Sequence, residues 1–241
     1  KDVATAAKAR LVLTSGLGLD SWMPGILDAS GTKAKGVDVG AGVPSKLPGA
    51  GDDAGSADPH WWHDPLNQRA AVTTVERALS AAAPAAAPRF AARAQVYRRR
   101  LTRLDARIRA CFDRIPVAQR KLVTDHDAFA YFVRRYGLRY IGAVIPAQTT
   151  QAQASAGELA QLEDTIRRER VPAVFPESSV NKRLARRIAQ DTGATVGGTL
   201  YGDTLGPADG PAGTYVGMEQ ANADAIVRGM SGGRVGRPAG A

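Results

Sequence analysis

From residue 116 onward the chain alternates short apolar runs with helical patterns, and few folds accept that rhythm. The apolar runs lie at 121–124, 138–144, 173–175 and 195–200. Helix-period stretches at 127–136, 155–168 and 180–191 separate them. Strand, helix and strand joined by short connections make a parallel sheet covered by helices. The chain is therefore expected to be α/β. Local punctuation supports the boundaries. Gly137 and Gly193 stand where helices stop. Ser155 is followed by Glu158 at capping-box spacing. A last helix is expected over 215–230, followed by a Gly/Arg/Pro-rich tail at 231–241 that is expected to be disordered.

The first half is less regular. A helix over 2–10 leads into a strand at 11–14, then a short helix over 21–29 and a strand at 37–39. Residues 40–57 are rich in Gly, Pro, Ser and Asp without periodicity and read as a mobile loop. Helical spacing returns over 65–82 and ends at Pro84 and Pro88. The longest helical pattern is 89–115, with Phe90, Ala94, Tyr97, Leu101, Leu104, Ile108 and Phe112 on one face. A helix of that size is about 40 Å long. One small domain does not need such a length, so it is expected to run across two. The expected organisation is an N-terminal lobe at 1–88, a linking helix at 89–115 and a C-terminal lobe at 116–230. A doubly wound lobe that begins with a helix lacks its first strand, so the first lobe is expected to be incomplete at its start.

Composition narrows the function. The chain has 241 residues, 44% of them hydrophobic, and a net charge of +9. No apolar run reaches the 18 residues of a membrane span. The first ten residues lack the apolar core of a signal peptide. The positive charge is mostly arginine scattered along helical segments, such as Arg98, Arg99, Arg100, Arg103 and Arg107. It is not interleaved with aromatics, so no nucleic-acid partner is expected. The one cysteine, Cys111, sits in a helical pattern and reads as a buried structural thiol.

Chemistry concentrates on three histidines, each beside an acid or a proline. His60 follows Asp58-Pro59, His63 precedes Asp64-Pro65, and His126 lies between Asp125 and Asp127. His126 closes an expected strand, at the carboxyl edge where open α/β sheets place ligands. Asp203 stands just past another strand. Metal ligation needs neutral imidazoles and a carboxylate arriving from separate elements. His60, His126 and Asp203 could supply that set. The alternatives are plain: His60 as a helix-start cap, and Asp203 as a turn former. Glu177 could orient a ligand histidine or complement a helix N-terminus. Asp125 and Asp127 could do the same or only flank a turn.

Three segments carry a family resemblance. Asp58-Pro59-His60-Trp61-Trp62-His63-Asp64-Pro65 resembles the Asp-Pro-His-x-Trp-x-Asp-Pro motif of zinc and manganese solute-binding proteins of bacterial ABC importers. His126-Asp127-Ala128-Phe129-Ala130-Tyr131-Phe132 resembles that family's His-Asp-Ala-Phe-Gly-Tyr-Phe motif. Leu200-Tyr201-Gly202-Asp203-Thr204-Leu205-Gly206 is similar to its Leu-Tyr-x-Asp-Ser-Leu-Gly motif. The segments at 13–22 and 175–177 add weaker matches, and the resemblance runs from about residue 2 to about residue 230.

The resemblance implies two α/β lobes joined by a long backbone helix, with the ion held between them and no catalysis. It implies His60 from the first lobe and His126 and Asp203 from the second as metal ligands. It implies a monomeric periplasmic or cell-surface protein whose partners are the ion and a membrane permease. A lipid anchor would belong to a segment absent here. Family members carry a further ligand histidine upstream, which this chain does not contain. Manganese members tend to carry Glu where His126 stands, so zinc is expected over manganese. Residues 40–57 contain no histidine, so a second, loop-borne metal site is not expected. His63 replaces a usually apolar residue and is expected to be a partly exposed surface histidine. Two rival readings are a metal-dependent phosphohydrolase, whose folds are all helical, and a surface adhesin on the same fold.

Overall fold

The computed structural model of the chain describes residues 1–50 and 53–235. It is α/β, with short parallel strands and eight α-helices among the described residues. The chain divides into two compact units, one made of residues 1–49 and 55–103, the other of residues 50–54 and 104–241. The division falls inside the longest helix.

In the first unit, α1 (Asp2–Ala6) leads into β1 (Leu11–Thr14), α2 (Met23–Ser30) and β2 (Lys35–Asp38). β1 and β2 pair in parallel from Leu11 opposite Lys35 to Thr14 opposite Asp38. The turn after β1 holds Gly16, Leu17 and Gly18 in succession at positive φ, with Leu17 at 52°. Glycine is required at 16, because the Asp38 carboxylate occupies the place of a Cβ. α3 (Pro65–Ala82) begins with proline in its first turn, and the Asp64 side chain caps it by accepting the Leu66 N–H at 2.8 Å. The segment read as a mobile loop is tied down at several points. Asn67, fully buried, donates to Ser45 O at 2.9 Å and accepts from Ser45 N at 3.1 Å. Pro48 and Ala57 form an antiparallel bridge.

α4 (Ala87–Asp113) contributes its residues up to Arg103 to the first unit and the rest to the second. Its buried residues Ala94, Leu101, Leu104, Ile108, Cys111 and Phe112 follow the expected steps of three and four.

The second unit contains β3 (Lys121–His126), α5 (Ala130–Tyr136), β4 (Arg139–Ile145), α6 (Ala156–Glu169), β5 (Ala173–Val174), α7 (Arg183–Thr192), β6 (Thr195–Val196) and α8 (Tyr215–Met230). β3 pairs with β4 and β5 with β6, all in parallel. Parallel bridges at Thr124–Phe175 and Glu177–Leu200 continue the sheet, giving the order β4-β3-β5-β6. β5 and β6 are shorter than the apolar runs suggest. Pro172 and Pro176 remove ladder donors around β5, and Gly197 and Gly198 follow β6. α5 starts three residues later than its pattern suggests, after Phe129 with its non-helical φ of -103° and ψ of 15°. Asp127 N donates to Ala147 O at 3.1 Å and Ala128 N to His126 O at 3.0 Å.

One sheet face packs Val123, Val144, Leu162, Ile166, Val174, Ile188 and Ala189 into a single apolar cluster. An aromatic group fills another part of the core, with Phe112 and Phe132 ring centres 5.7 Å apart and Phe132 and Tyr136 4.7 Å apart. Both halves of the expected capping box form at α6: Ser155 Oγ accepts from Glu158 N, and Glu158 accepts from Ser155 N at 2.7 Å. Ser155→Ala is expected to lower the unfolding free energy by about 1 kcal/mol, read as a lower urea midpoint at unchanged slope. After α8 the chain turns with Ser231 buried, while residues 236–241 of the expected tail lie outside the described residues.

Candidate metal centre

Each unit holds one histidine backed by a carboxylate. In the first unit, Asp58 and His60 are both buried. Asp58 Oδ1 accepts from His60 N at 2.9 Å and from His60 Nδ1 at 2.8 Å. A proton held on Nδ1 leaves the Nε2 lone pair as the ligating atom. His60 opens the 3-10 turn Trp61–His63 but makes no side-chain cap bond, so the capping alternative does not describe it. Trp61 Nε1 donates to Ser15 O at 3.0 Å and anchors the turn to the end of β1.

His63 departs from the expectation of partial exposure: it is completely buried. The turn carrying it is interior, since Trp61, Asp64 and Pro65 around it are buried too. Its ring lies 5.8 Å from that of Trp62.

In the second unit, His126 ends β3 beside β5, where the strand order reverses direction about β3. That is the topological switch point at which open parallel sheets bind ligands. His126 is wholly buried and so is Glu177. One Glu177 oxygen accepts the His126 backbone N–H at 2.9 Å, and the other lies 2.9 Å from Nδ1. Glu177 therefore fixes both the backbone and the ring of His126, as the orienting alternative required. Asp125 holds Glu177 in turn, accepting its N–H at 2.7 Å. Thr124 Oγ1 donates to His126 O at 2.8 Å. Asp203, exposed, places Oδ2 3.4 Å from His126 Nε2. Thus His126 and Asp203 meet within the second unit, while His60 belongs to the first.

The charges follow from this packing. Burial pushes the His126 pKa down, but the bonds to Asp203 and Glu177 and their negative charges outweigh it and raise the value to about 10. Burial lifts Asp125 to about 6, against the pull of the Glu177 N–H it accepts. Gly202 lies against this pair: a Cβ there would run into Glu177 Oε2 and come within 3.1 Å of His126 Cε1.

Two carboxylate-backed imidazoles and an exposed carboxylate are donors for a borderline divalent cation. The family description "Zinc-uptake complex component A periplasmic" (ZnuA) matches residues 1–229. The chain belongs to the ZnuA family. A similar curated protein, the iron-binding protein YfeA of Yersinia pestis, is 32% identical over 230 residues, 95% of this chain and 73% of YfeA. The manganese-binding lipoprotein MntA of Bacillus subtilis is 33% identical over 183 residues, 76% of this chain and 59% of MntA. Among solved structures, the periplasmic zinc binding protein TroA from Treponema pallidum superposes with a TM-score of 0.87 at 31% identity, covering 95% of this chain and 83% of TroA. The ZnuA family consists of metal-binding subunits of ABC transporters, periplasmic proteins or lipoproteins, and not of enzymes. These matches and the parallel sheets do not favour the hydrolase reading or the separate adhesin reading.

Two participants were hard to see in the sequence. Asp58 was legible as part of the Asp-Pro-His motif but not as the partner of the imidazole. Asn222, whose side chain bonds Tyr201, carries no sequence signal of its role.

Proposed function

We propose that the chain captures one divalent cation outside the cytoplasm, zinc in preference to manganese, and delivers it to the membrane permease of an ABC importer. The ligands are His60 of the first unit and His126 and Asp203 of the second. The observation that carries this reading is His126 itself: a buried imidazole with Nδ1 on a buried glutamate and Nε2 turned to a second carboxylate. Carboxylate-backed histidine is the usual arrangement of a metal-ligating imidazole. The permease accepts the metal-loaded form. α4, with residues in both units, links the lobes. The protein works as a monomer and takes no nucleic acid.

Zinc is favoured by two imidazole nitrogens against one carboxylate. The test is His126→Glu, which changes the donor set toward oxygen. Zinc affinity is expected to fall and manganese affinity to rise. A zinc-to-manganese ratio unchanged by this substitution contradicts the assignment.

Binding also has a proton signature. A ligand imidazole must be neutral. Below about pH 10 the metal-free His126 holds a proton that the ion has to displace. Affinity is therefore expected to rise with pH through the neutral range, about tenfold per unit for each proton released. The metal-free fold responds with the opposite sign. The stabilisation from charged His126 is complete below the ordinary value of 6.5 and is lost as pH rises through about 10. Calorimetry in buffers of different ionisation heat should show about one proton released per zinc from His126. Zero release contradicts the ligand role of His126.

A further inference from the structure

We propose that Asn222 is a positioning residue for the metal ligand Asp203, acting from α8 through the backbone of Tyr201. The proposal rests on the ligand role given to Asp203 above.

Asn222 lies in the middle of α8 and is completely buried. Its side chain engages a single residue twice. Oδ1 accepts the Tyr201 N–H at 2.8 Å, and Nδ2 donates to Tyr201 O at 2.9 Å. This is the pairing a neighbouring strand would give. It comes where the sheet runs out, one residue past the Glu177–Leu200 bridge. Leu200 itself is held by its N–H on Pro176 O at 2.8 Å and by Ser178 N donating to its carbonyl at 2.9 Å. The carboxamide of Asn222 thus continues the ladder for one more residue.

Two residues later comes Asp203. Between them lies Gly202, whose backbone sits so close to Glu177 and His126 that no side chain fits. The segment 201–203 is therefore fixed by α8 at Tyr201 and seated on the Glu177–His126 pair at Gly202. Beyond Asp203 the chain enters a Gly/Pro-rich stretch without helix or strand until α8. Downstream, Thr204 Oγ1 meets Ser178 Oγ at 3.2 Å in an exposed contact; upstream, Asn222 is the buried side chain that sets the register of Asp203 relative to His126 Nε2. A buried amide in a helix interior lowers helix propensity and loses hydration unless it is bonded. An apolar residue would serve packing alone; the two bonds to Tyr201 give the amide a specific task.

The test is a double-mutant cycle on the full chain, with zinc affinity read by chelator competition and cobalt(II) absorption as the coordination signature. The variants are Asn222→Ala, Asn222→Asp, Asp203→Ala and the pairs with Asp203→Ala. Asn222→Asp keeps the size and the acceptor for Tyr201 N, so it serves where the alanine variant does not fold. Each single Asn222 variant is expected to lose at least about tenfold in zinc affinity, the range of residues that orient ligands. In the Asp203→Ala background the same change is expected to cost little more, because the group it positions is gone. The cobalt spectrum of the Asn222 variants should move toward that of Asp203→Ala. Wild-type affinity and spectrum in both Asn222 variants overturn the proposal. So do losses that simply add to that of Asp203→Ala, since they indicate a general structural role. If Asp203→Ala itself leaves zinc binding unchanged, the ligand reading falls and the proposal with it. Loss at Asp203 with no effect at Asn222 removes only the positioning role.

Discussion

Replacing His126 with alanine is expected to lower zinc affinity by more than about 100-fold, beyond the range seen for residues that only orient ligands. His63→Ala is expected to leave zinc affinity nearly unchanged. The contrast tests the site because the two side chains are alike in type and burial: both are completely buried histidines. Only His126 lies at the carboxyl end of a parallel strand, backed by Glu177 and facing Asp203. Its removal also leaves the buried Glu177 carboxylate without the imidazole it faces. Breaking such a pair costs about 3 kcal/mol of stability in the metal-free chain. His63→Ala should lower stability as well, by leaving a space in an interior turn, without moving the affinity. Chelator competition for zinc and urea unfolding on both variants separate the two effects. Equal losses of zinc affinity would sink the ligand assignment.

Glu177→Gln is expected to lower zinc affinity by about 10- to 100-fold with little change in side-chain volume. One carboxylate oxygen accepts from His126 N and the other lies 2.9 Å from Nδ1, so when the ion displaces one proton of the imidazolium, the proton that remains is favoured on Nδ1 and Nε2 is left to bind. A glutamine has one acceptor and one donor end. Whichever way the amide turns, its NH2 group faces either the backbone N–H or Nδ1. If it faces Nδ1, the ring must carry its proton on Nε2, the atom that has to bind the ion. If it faces the backbone, two buried donors oppose each other. Nitrogen NMR of the zinc-loaded chain would show which His126 nitrogen keeps its proton. A variant that keeps both the Nδ1–H tautomer and wild-type affinity would show that Glu177 does not orient the ligand.

Much of the fold could be read from the chain. The helices at Pro65–Ala82 and Tyr215–Met230 match their sequence ranges because apolar period and terminal residues agree: Asp64 and Pro65 start one, and Thr214 caps the other. α5 is shorter than its pattern because side-chain periodicity does not report backbone angles, and Phe129 before it is not helical. β5 and β6 are shorter than their sequence runs because Pro172 and Pro176 lack ladder N–H groups and Gly197 and Gly198 follow β6. At the site, the Asp-Pro-His motif marks His60, but nothing in it shows that Asp58 turns back onto the imidazole. Glu177 stayed ambiguous because its partner is 51 residues away. His63 was misplaced because a histidine beside aspartate and proline carries no mark of burial. Asn222 gave no signal at all, since its bonds go to backbone atoms 21 residues away.

We propose that a single ion takes both His60 and His126 as ligands. The most direct test is an equilibrium zinc titration of the chelator-stripped chain beside His60→Ala and His126→Ala, with the cobalt(II) spectrum of each complex. The account predicts one ion per chain in the parent protein and a large loss of affinity in each variant, with a changed cobalt spectrum in both. Undiminished one-to-one binding with an unchanged spectrum in either variant would contradict it.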